Sequence, residues 1–287
     1  MQKRKKALIL VNAYARDVYT RQVRRLTDEL TKRGTEVVAE RNGFFPLSVG
    51  NADVPDCDFC IYLDKDKYAA ALLEKRGVRL FNSAHAIEVC DDKMLTHIAL
   101  EDHGIPMPET MPGLLCYYED ATPSAKYLDS VEKRLGYPIV VKQSYGSFGN
   151  GVFKADNRSE LDALAKKLKL FPHLFQRFIA SSGGRDMRVI VIGNKVVGGI
   201  IRSSDSDFRS NIGLGGKAEK CDVPKEISDV AVKTAAALGL DYCGIDFLLG
   251  DKPLVCEVNS NAFFDAFEEA TGINVAGIYA EHVINNS

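Results

Sequence analysis

The sequence predicts an α/β protein whose last third carries a mixed sheet, and three observations lead there. Short β-rich runs alternate with helix-length stretches over residues 7–88, the pattern of a parallel sheet with crossover helices. A glycine-rich loop joins two strand-like runs at 143–151, and two hairpin-like pairs of runs occupy the C-terminal part. Composition agrees: 46% of the 287 residues are hydrophobic, and 37 Lys+Arg nearly balance 39 Asp+Glu, so the chain is neither disordered nor fibrous. At roughly 100–150 residues per domain, this length makes two domains or one large one, and either buries a sizeable core.

The basic start, Lys3 to Lys6, is followed by only five apolar residues, Ala7 to Val11. That is too short for a signal peptide or a membrane span, so it is expected to be a first buried strand in a cytoplasmic protein. A helix is expected from Thr20 to Arg33, closed by Gly34, then strands at Thr35–Ala39 and Phe59–Leu63. A helix through Tyr68–Lys75 and a strand at Val78–Phe81 complete the first segment. The second begins near Asp91 with a helix over 92–103 ended by Gly104, after which Pro106, Pro108 and Pro112 enforce an extended connection. Helix 124–135, strand Ile139–Lys142, the glycine loop, strand Val152–Ala155 and helix 159–169 follow. In the last segment, runs at Arg188–Ile192 and Val196–Arg202 flank Gly193-Asn194, and runs at Gly244–Leu249 and Pro253–Val258 flank Asp251-Lys252. Between them lies a helix over Ile227–Leu238, stopped by Gly239.

A net charge of −2 gives no global attraction to a polyanion, so neither nucleic acid nor a membrane is expected as partner. Seven scattered cysteines make no disulfide pattern. Cys57 and Cys60 form a lone Cys-x-x-Cys, read as core packing. None of the seven is expected to be a nucleophile, and His85, His97, His103, His173 and His282 are read as structural.

Three pieces can carry chemistry. If Asp251 and Lys252 make the turn of the last hairpin, Asp246 falls opposite Glu257, with Asn259 two residues further along the same face. Two opposed carboxylates repel unless something positive sits between them, and hard oxygen ligands suit Mg²⁺. A solvent-facing polar side alternating with Ile245, Phe247, Cys256 and Val258 is equally sufficient for the pattern. Second, Lys142 precedes a loop containing Gly146, Ser147, Gly149 and Gly151, whose backbone N–H groups can approach phosphate oxygens, although a plain turn explains it too. Third, Arg185, Arg188, Arg202 and Arg209 with Asn211 lie near glycines and suit phosphate or carboxylate recognition, with exposed ion pairs as the alternative.

The order of these pieces resembles the ATP-grasp superfamily, and within it the branch of ribosomal-protein-S6-modification-like amino-acid ligases. The resemblance runs from about Asp91 to Ile284 and rests on several fragments in order. They are Asp92-Lys93, Gly104 to Thr110, Pro138 to Gly151, Gln176 to Ile179, Gly184 to Arg188, Asp207 to Asn211, Gly244-Ile245-Asp246, Glu257-Val258-Asn259 and Thr271 to Ile273. It implies an ATP-grasp fold with a parallel α/β domain at 1–88, a central lid domain at 89–178 and a C-terminal mixed-sheet domain at 179–287. It further implies Lys93 and Lys142 as ATP-phosphate contacts, Gly146 to Gly151 (with Ser147) as lid loop, Arg177 and Phe178 as an adenine-reading hinge, and Asp186 as a ribose contact. Asp246, Glu257 and Asn259 would bind Mg²⁺, with Mn²⁺ as the alternative ion, and Arg188, Arg202, Arg209 and Asn211 would surround the transferred phosphoryl group and the acceptor carboxylate.

The implied activity is an ATP-dependent carboxylate–amine ligase working through an acyl phosphate on a small carboxylate and an amine or peptide, with a homo-oligomer left open. A phosphotransferase and a noncatalytic nucleotide-gated interaction module are the alternatives. One stretch departs from the family. Ser260-Asn261-Ala262-Phe263-Phe264 stands where a small residue, Ser, Pro and Gly commonly follow the Glu-Val-Asn, so glutamate as substrate does not carry over, and both rings are expected to contact substrate.

Overall fold

The computed structural model describes every residue except 1–3, 18–19, 45–46, 51–52, 147–148, 205–206, 210–215 and 251. The first segment is the expected alternation: β1 (Lys6–Val11), α1 (Arg21–Lys32), β2 (Glu36–Arg41), β3 (Phe59–Leu63), α2 (Lys67–Lys75) and β4 (Leu80–Phe81). Its strands pair in parallel in the order β2-β1-β3-β4. Thr20 caps α1 through its hydroxyl and Asp66 caps α2 through its carboxylate, so these helices start where a short acceptor precedes the apolar stripe.

The helix expected over 92–103 is α4 (Lys93–Leu100) with a 3₁₀ turn at Glu101–His103, and a helix that the sequence reading did not expect, α3 (Ala84–Asp91), precedes it. The break is Asp92. It leaves helical geometry at ψ 108° and its carboxylate accepts from Met94 N and Leu95 N at 2.9 and 3.1 Å, so the acid at the expected helix start is its N-cap. Lys93 thereby opens a helix, with its backbone N–H bonded to Ser144 O at 3.0 Å.

The middle segment holds β5 (Thr110–Pro112), α5 (Ala125–Leu135), β6 (Ile139–Gln143), β7 (Val152–Ala155), α6 (Arg158–Leu168) and β8 (His173–Arg177), in an antiparallel sheet ordered β5-β8-β6-β7. The proline-rich connection thus contributes an edge strand, where a missing N–H is tolerated. β9 (Arg185–Ile192), β10 (Lys195–Ser203) and β11 (Lys217–Cys221) begin the third sheet, which after α7 (Lys225–Ala237) is completed by β12 (Tyr242–Leu248) and β13 (Leu254–Asn259) in the antiparallel order β11-β10-β9-β12-β13. Helices α8 (Asp265–Thr271) and α9 (Val275–Asn285) follow.

The first and last segments share a core. Ile9, Val11, Leu26, Phe59 and Phe81 pack with Ile190, Tyr242, Phe264, Tyr279 and Val283. Asn82 stitches the seam with all four amide bonds: Nδ2 donates to Tyr242 O and Ser260 O at 2.8 and 2.7 Å, and Oδ1 accepts from Asp241 N and Tyr242 N. The middle sheet instead packs on its own helices through Val131, Val141, Leu161 and Phe175. Cys60 is buried in the first sheet's core, and burial pushes the Cys57 thiol up to about 11. Among the described residues, no three His, Cys, Asp or Glu side chains cluster to hold a metal, and no helix is long and apolar enough to cross a membrane.

Candidate active site

One face of the third sheet collects charges because side chains of alternate residues on four neighbouring strands point the same way. The register pairs Arg202 with Asp186, Arg188 with Asp246, Asp246 with Glu257, and Gly244 with Asn259. Opposition of Asp246 and Glu257 is therefore as the hairpin spacing predicts. Gly244 is glycine for a steric reason: a Cβ there would lie 2.7 Å from Ala262 Cβ, so a side chain would push away the segment following Asn259.

The positive charge that an opposed carboxylate pair requires is supplied to Asp246 by the protein itself. Arg188 binds Asp246 through both oxygens at 2.7 Å, and Arg202 Nη2 lies 2.9 Å from Oδ2. Burial works to raise this carboxyl, but the two guanidiniums hold it below the usual carboxylate range. Arg202 also binds both oxygens of Asp186, with Nε 2.7 Å from Oδ1. The result is a connected row of alternating charge, hydrogen-bonded throughout, with Asp186, Arg202 and Asp246 buried and Arg188 half-buried. Glu257 has a different environment, with its nearest cation, Lys93, 3.7 Å away and its side chain 29% exposed.

A correction concerns Cys256. Strict alternation puts it on the core side with Phe247, but a register shift after Asp246 pairs Phe247 with Val255, leaving Cys256 as the extra residue of a β-bulge. Its Sγ consequently sits 3.4 Å from Lys142 Nζ. Burial raises the thiol's pKa, which fits the expectation that no cysteine is a nucleophile.

Facing this row across the cleft is the middle sheet. Val140, Lys142 and Gln176 share its inner face, since Val140 pairs with Gln176 and Lys142 with Leu174. Lys142, 8% exposed, donates to Gln176 Oε1 at 2.8 Å. Gln176 Nε2 is 2.9 Å from Thr110 Oγ1 and 3.1 Å from His97 Nε2, and the His97 ring also bonds the Cys256 backbone. Burial lowers the His97 pKa to about 4, so the ring is neutral and one nitrogen is free to accept from the glutamine. Sequence reasoning missed both residues. His97 carries no spacing signal, and Gln176 was visible only as part of the Gln176–Ile179 fragment.

Lys93 Nζ donates to Gly146 O at 2.9 Å, and burial, only partly offset by Glu257, lowers its pKa. From the other side Arg209 Nη1 donates to Gly149 O at 2.8 Å while Asp207 fixes its guanidinium, so the glycine loop is held between two cations. Gly149 needs its φ of +74° to turn that carbonyl outward.

These groups line one cavity: Lys93, Lys142, Gly146, Gly149, Arg177, Phe178, Asp186, Arg202, Arg209, Asp246 and Glu257 of the expected residues, joined by Gln176 and Cys256. The Arg177 side chain turns outward to Glu109 Oε2 and Arg134 O. Arg188, Gly151 and Asn259 are not among the lining residues. Arg188 stands against Asp246, Gly151 packs under Gln143, and Asn259 has a buried amide nitrogen without a hydrogen-bond partner. Ser147 and Asn211 lie outside the described residues. Phe264 is 0% exposed and packs edge-on against Tyr242, so it is core, whereas Phe263 is 51% exposed.

The sequence profile of the RimK-like ATP-grasp domain family matches residues 90–283. Human N-acetylaspartylglutamate synthase A is 37% identical over 226 residues, 77% of this chain and 56% of that protein. Human β-citrylglutamate synthase B is 39% identical over 223 residues, 76% of this chain and 56% of that protein. The chain thus spans about half the length of the curated relatives it matches. A RimK-domain ATP-grasp protein from Sphaerobacter thermophilus superposes with a TM-score of 0.74 at 21% identity, covering 96% of this chain and 98% of that one, which establishes a common fold.

Proposed function

The chain belongs to the RimK-like ATP-grasp family, and from that premise we propose that it is an ATP-dependent carboxylate–amine ligase that forms an amide through an acyl phosphate. The observation that carries this reading is the convergence of Lys93, Lys142, Arg202 and Arg209 with Asp246 and Glu257 on one cavity roofed by a glycine loop. Cations in excess of acids around one cavity suit a polyphosphate with its counter-ion.

Asp246, Glu257 and Asn259 fit Mg²⁺: two opposed carboxylates and an amide two residues along supply hard oxygens, and Asn259 Nδ2 is buried without a hydrogen-bond partner. Mn²⁺ takes the same donors. The ion's contribution would be to neutralise phosphate charge. The chain's residues supply the rest. Lys142, held by Gln176 and His97, and Arg202, held by Asp186, keep fixed positive charge where negative charge develops as the acid's oxygen bonds the γ-phosphorus and ADP leaves. Arg188 fixes Asp246 and is a positioning residue. Arg209 and Lys93 hold the glycine loop down and exclude water while an amine displaces phosphate.

Hydroxylamine trapping tests this. With MgATP and a carboxylate panel, one acid should give a hydroxamate with equimolar ADP and phosphate, and an amine should replace the hydroxamate by an amide. Both human relatives are named for products ending in glutamate, which makes glutamate the first amine to supply. A stable phosphorylated product with no hydroxamate would make the protein a phosphotransferase.

A further inference from the structure

The middle sheet is used on both faces. Lys142 and Gln176 look into the nucleotide cavity, whereas His173 and Phe175, on the opposite face of β8, border a second cavity of about 270 Å³. Residues 113–124, without helix or strand, arch over it as a strap. Backbone bonds pin the strap at Gly113 N to His173 O, 2.7 Å, and at Cys116 N to Lys169 O, 3.1 Å. Its apolar side chains are largely unburied, Leu115 at 57% and Tyr117 at 80% exposure, so they have room to close on an occupant.

Lys169 is the unusual member of this lining. It is 8% exposed, its Nζ donates to the strap carbonyls of Glu119 and Ala121, and none of its described ion-pair or hydrogen-bond partners is a carboxylate. An ammonium has three protons, so one remains for another acceptor, and a buried charge without counter-charge is costly. His173 adds no second charge, because burial lowers its pKa against the opposing bond of Nδ1 to Phe171 O at 2.8 Å. One cation in an apolar pocket calls for one negative charge on an apolar body.

We propose that this cavity binds a small apolar monocarboxylate, with its head group on Lys169 and its hydrocarbon part among Leu114, Leu115, Tyr117, Tyr127, Leu128 and Phe175. The volume exceeds the roughly 150 Å³ that holds an aromatic ring in an engineered apolar cavity, so an acid of about ten heavy atoms fits. This site is separate from the ligase chemistry and stands or falls apart from it.

The test uses the full chain with excess MgADP, titrated calorimetrically with octanoate and with 1-octanol. Octanoate should bind at least tenfold more tightly than octanol, with nuclear Overhauser contacts to Tyr127 and Phe175. Lys169→Met should reduce octanoate to the affinity of octanol, and Lys169→Arg should restore most of the difference. Equal binding of acid and alcohol, octanoate binding unchanged by Lys169→Met, or contacts elsewhere would each overturn the proposal. Should Lys169→Met fail to fold, the wild-type comparison and the contact map decide it.

Discussion

Two neighbouring stretches of the third sheet treat buried polar groups in opposite ways. Along the row from Arg202 to Asp246 every charge is matched, with guanidiniums bidentate on Asp186 and Asp246. From the last residue of β13 to the first of α8, Asn259 Nδ2, Ser260 Oγ, Asn261 Oδ1 and Asp265 Oδ1 are buried without a hydrogen-bond partner. Native structures leave few such groups, and each needs a reason. The matched row is built before ligand arrives, so its cost falls on folding and its geometry is fixed. The unmatched stretch has bonding capacity in hand, and it coincides with the segment that departs from the family pattern. On the proposed ligase reading, the preorganised charge would serve the phosphoryl chemistry and the unsatisfied groups would be open to a substrate-specific contact.

The sharpest way to break this comparison is at Asp246. Asp246→Ala leaves Arg188 and Arg202 facing each other without their shared anion, so unfolding by urea should show a loss of about 3–5 kcal/mol and ADP formation should vanish. Glu257→Gln should also abolish ADP formation, yet change stability by no more than about 1 kcal/mol, because Glu257 is part-exposed and its ion pair with Lys93 is long, at 3.7 Å. Equal destabilisation by the two would mean that the row is not the matched network described.

The adjacent phenylalanines give the next contrast. Phe264→Ala should cost about 3–5 kcal/mol through a cavity against Tyr242, with little change in relative activity among acids. Phe263→Ala should leave the melting temperature within about 2 °C and change the ranking of acids or amines instead. Reversed outcomes would move Phe264 back to the substrate side.

The smallest effect is in pH. His97 has its folded pKa lowered to about 4, so the unfolded chain takes the proton first and stability declines as pH falls from about 6.5 to 4. Glu29, pulled down to about 2 by Arg33 against burial, contributes stability that is present above its ordinary value near 4.5 and is lost as pH falls towards 2. His97→Gln should flatten only the upper window, by up to about 1.4 kcal/mol per pH unit, and should weaken ATP binding through Gln176 and Lys142. Lys6→Ala, exposed near the start of β1, serves as the control without effect on ATP affinity.

The sequence by itself determined the alternation of the first segment, the glycine-rich and the cationic piece, and the register that opposes Asp246 to Glu257. Those depend on local rules: a strand's period of two, a turn's length and a capping residue's chemistry act over a few residues. Even there it missed α3, a short helix that ends immediately before the Asp92 N-cap at which the next helix starts as expected. Only the tertiary structure decided how the charges are compensated. Arg188 and Asp246 are 58 residues apart, Lys142 and Cys256 are 114 apart, and His97 reaches Gln176 across 79. Pairings at such separations follow from how three sheets pack, and one bulge at Cys256 is enough to move a side chain from one face to the other. Phe263 and Phe264 show the same limit in its simplest form: adjacent identical residues, one in the core and one in solvent, told apart only by what packs against them.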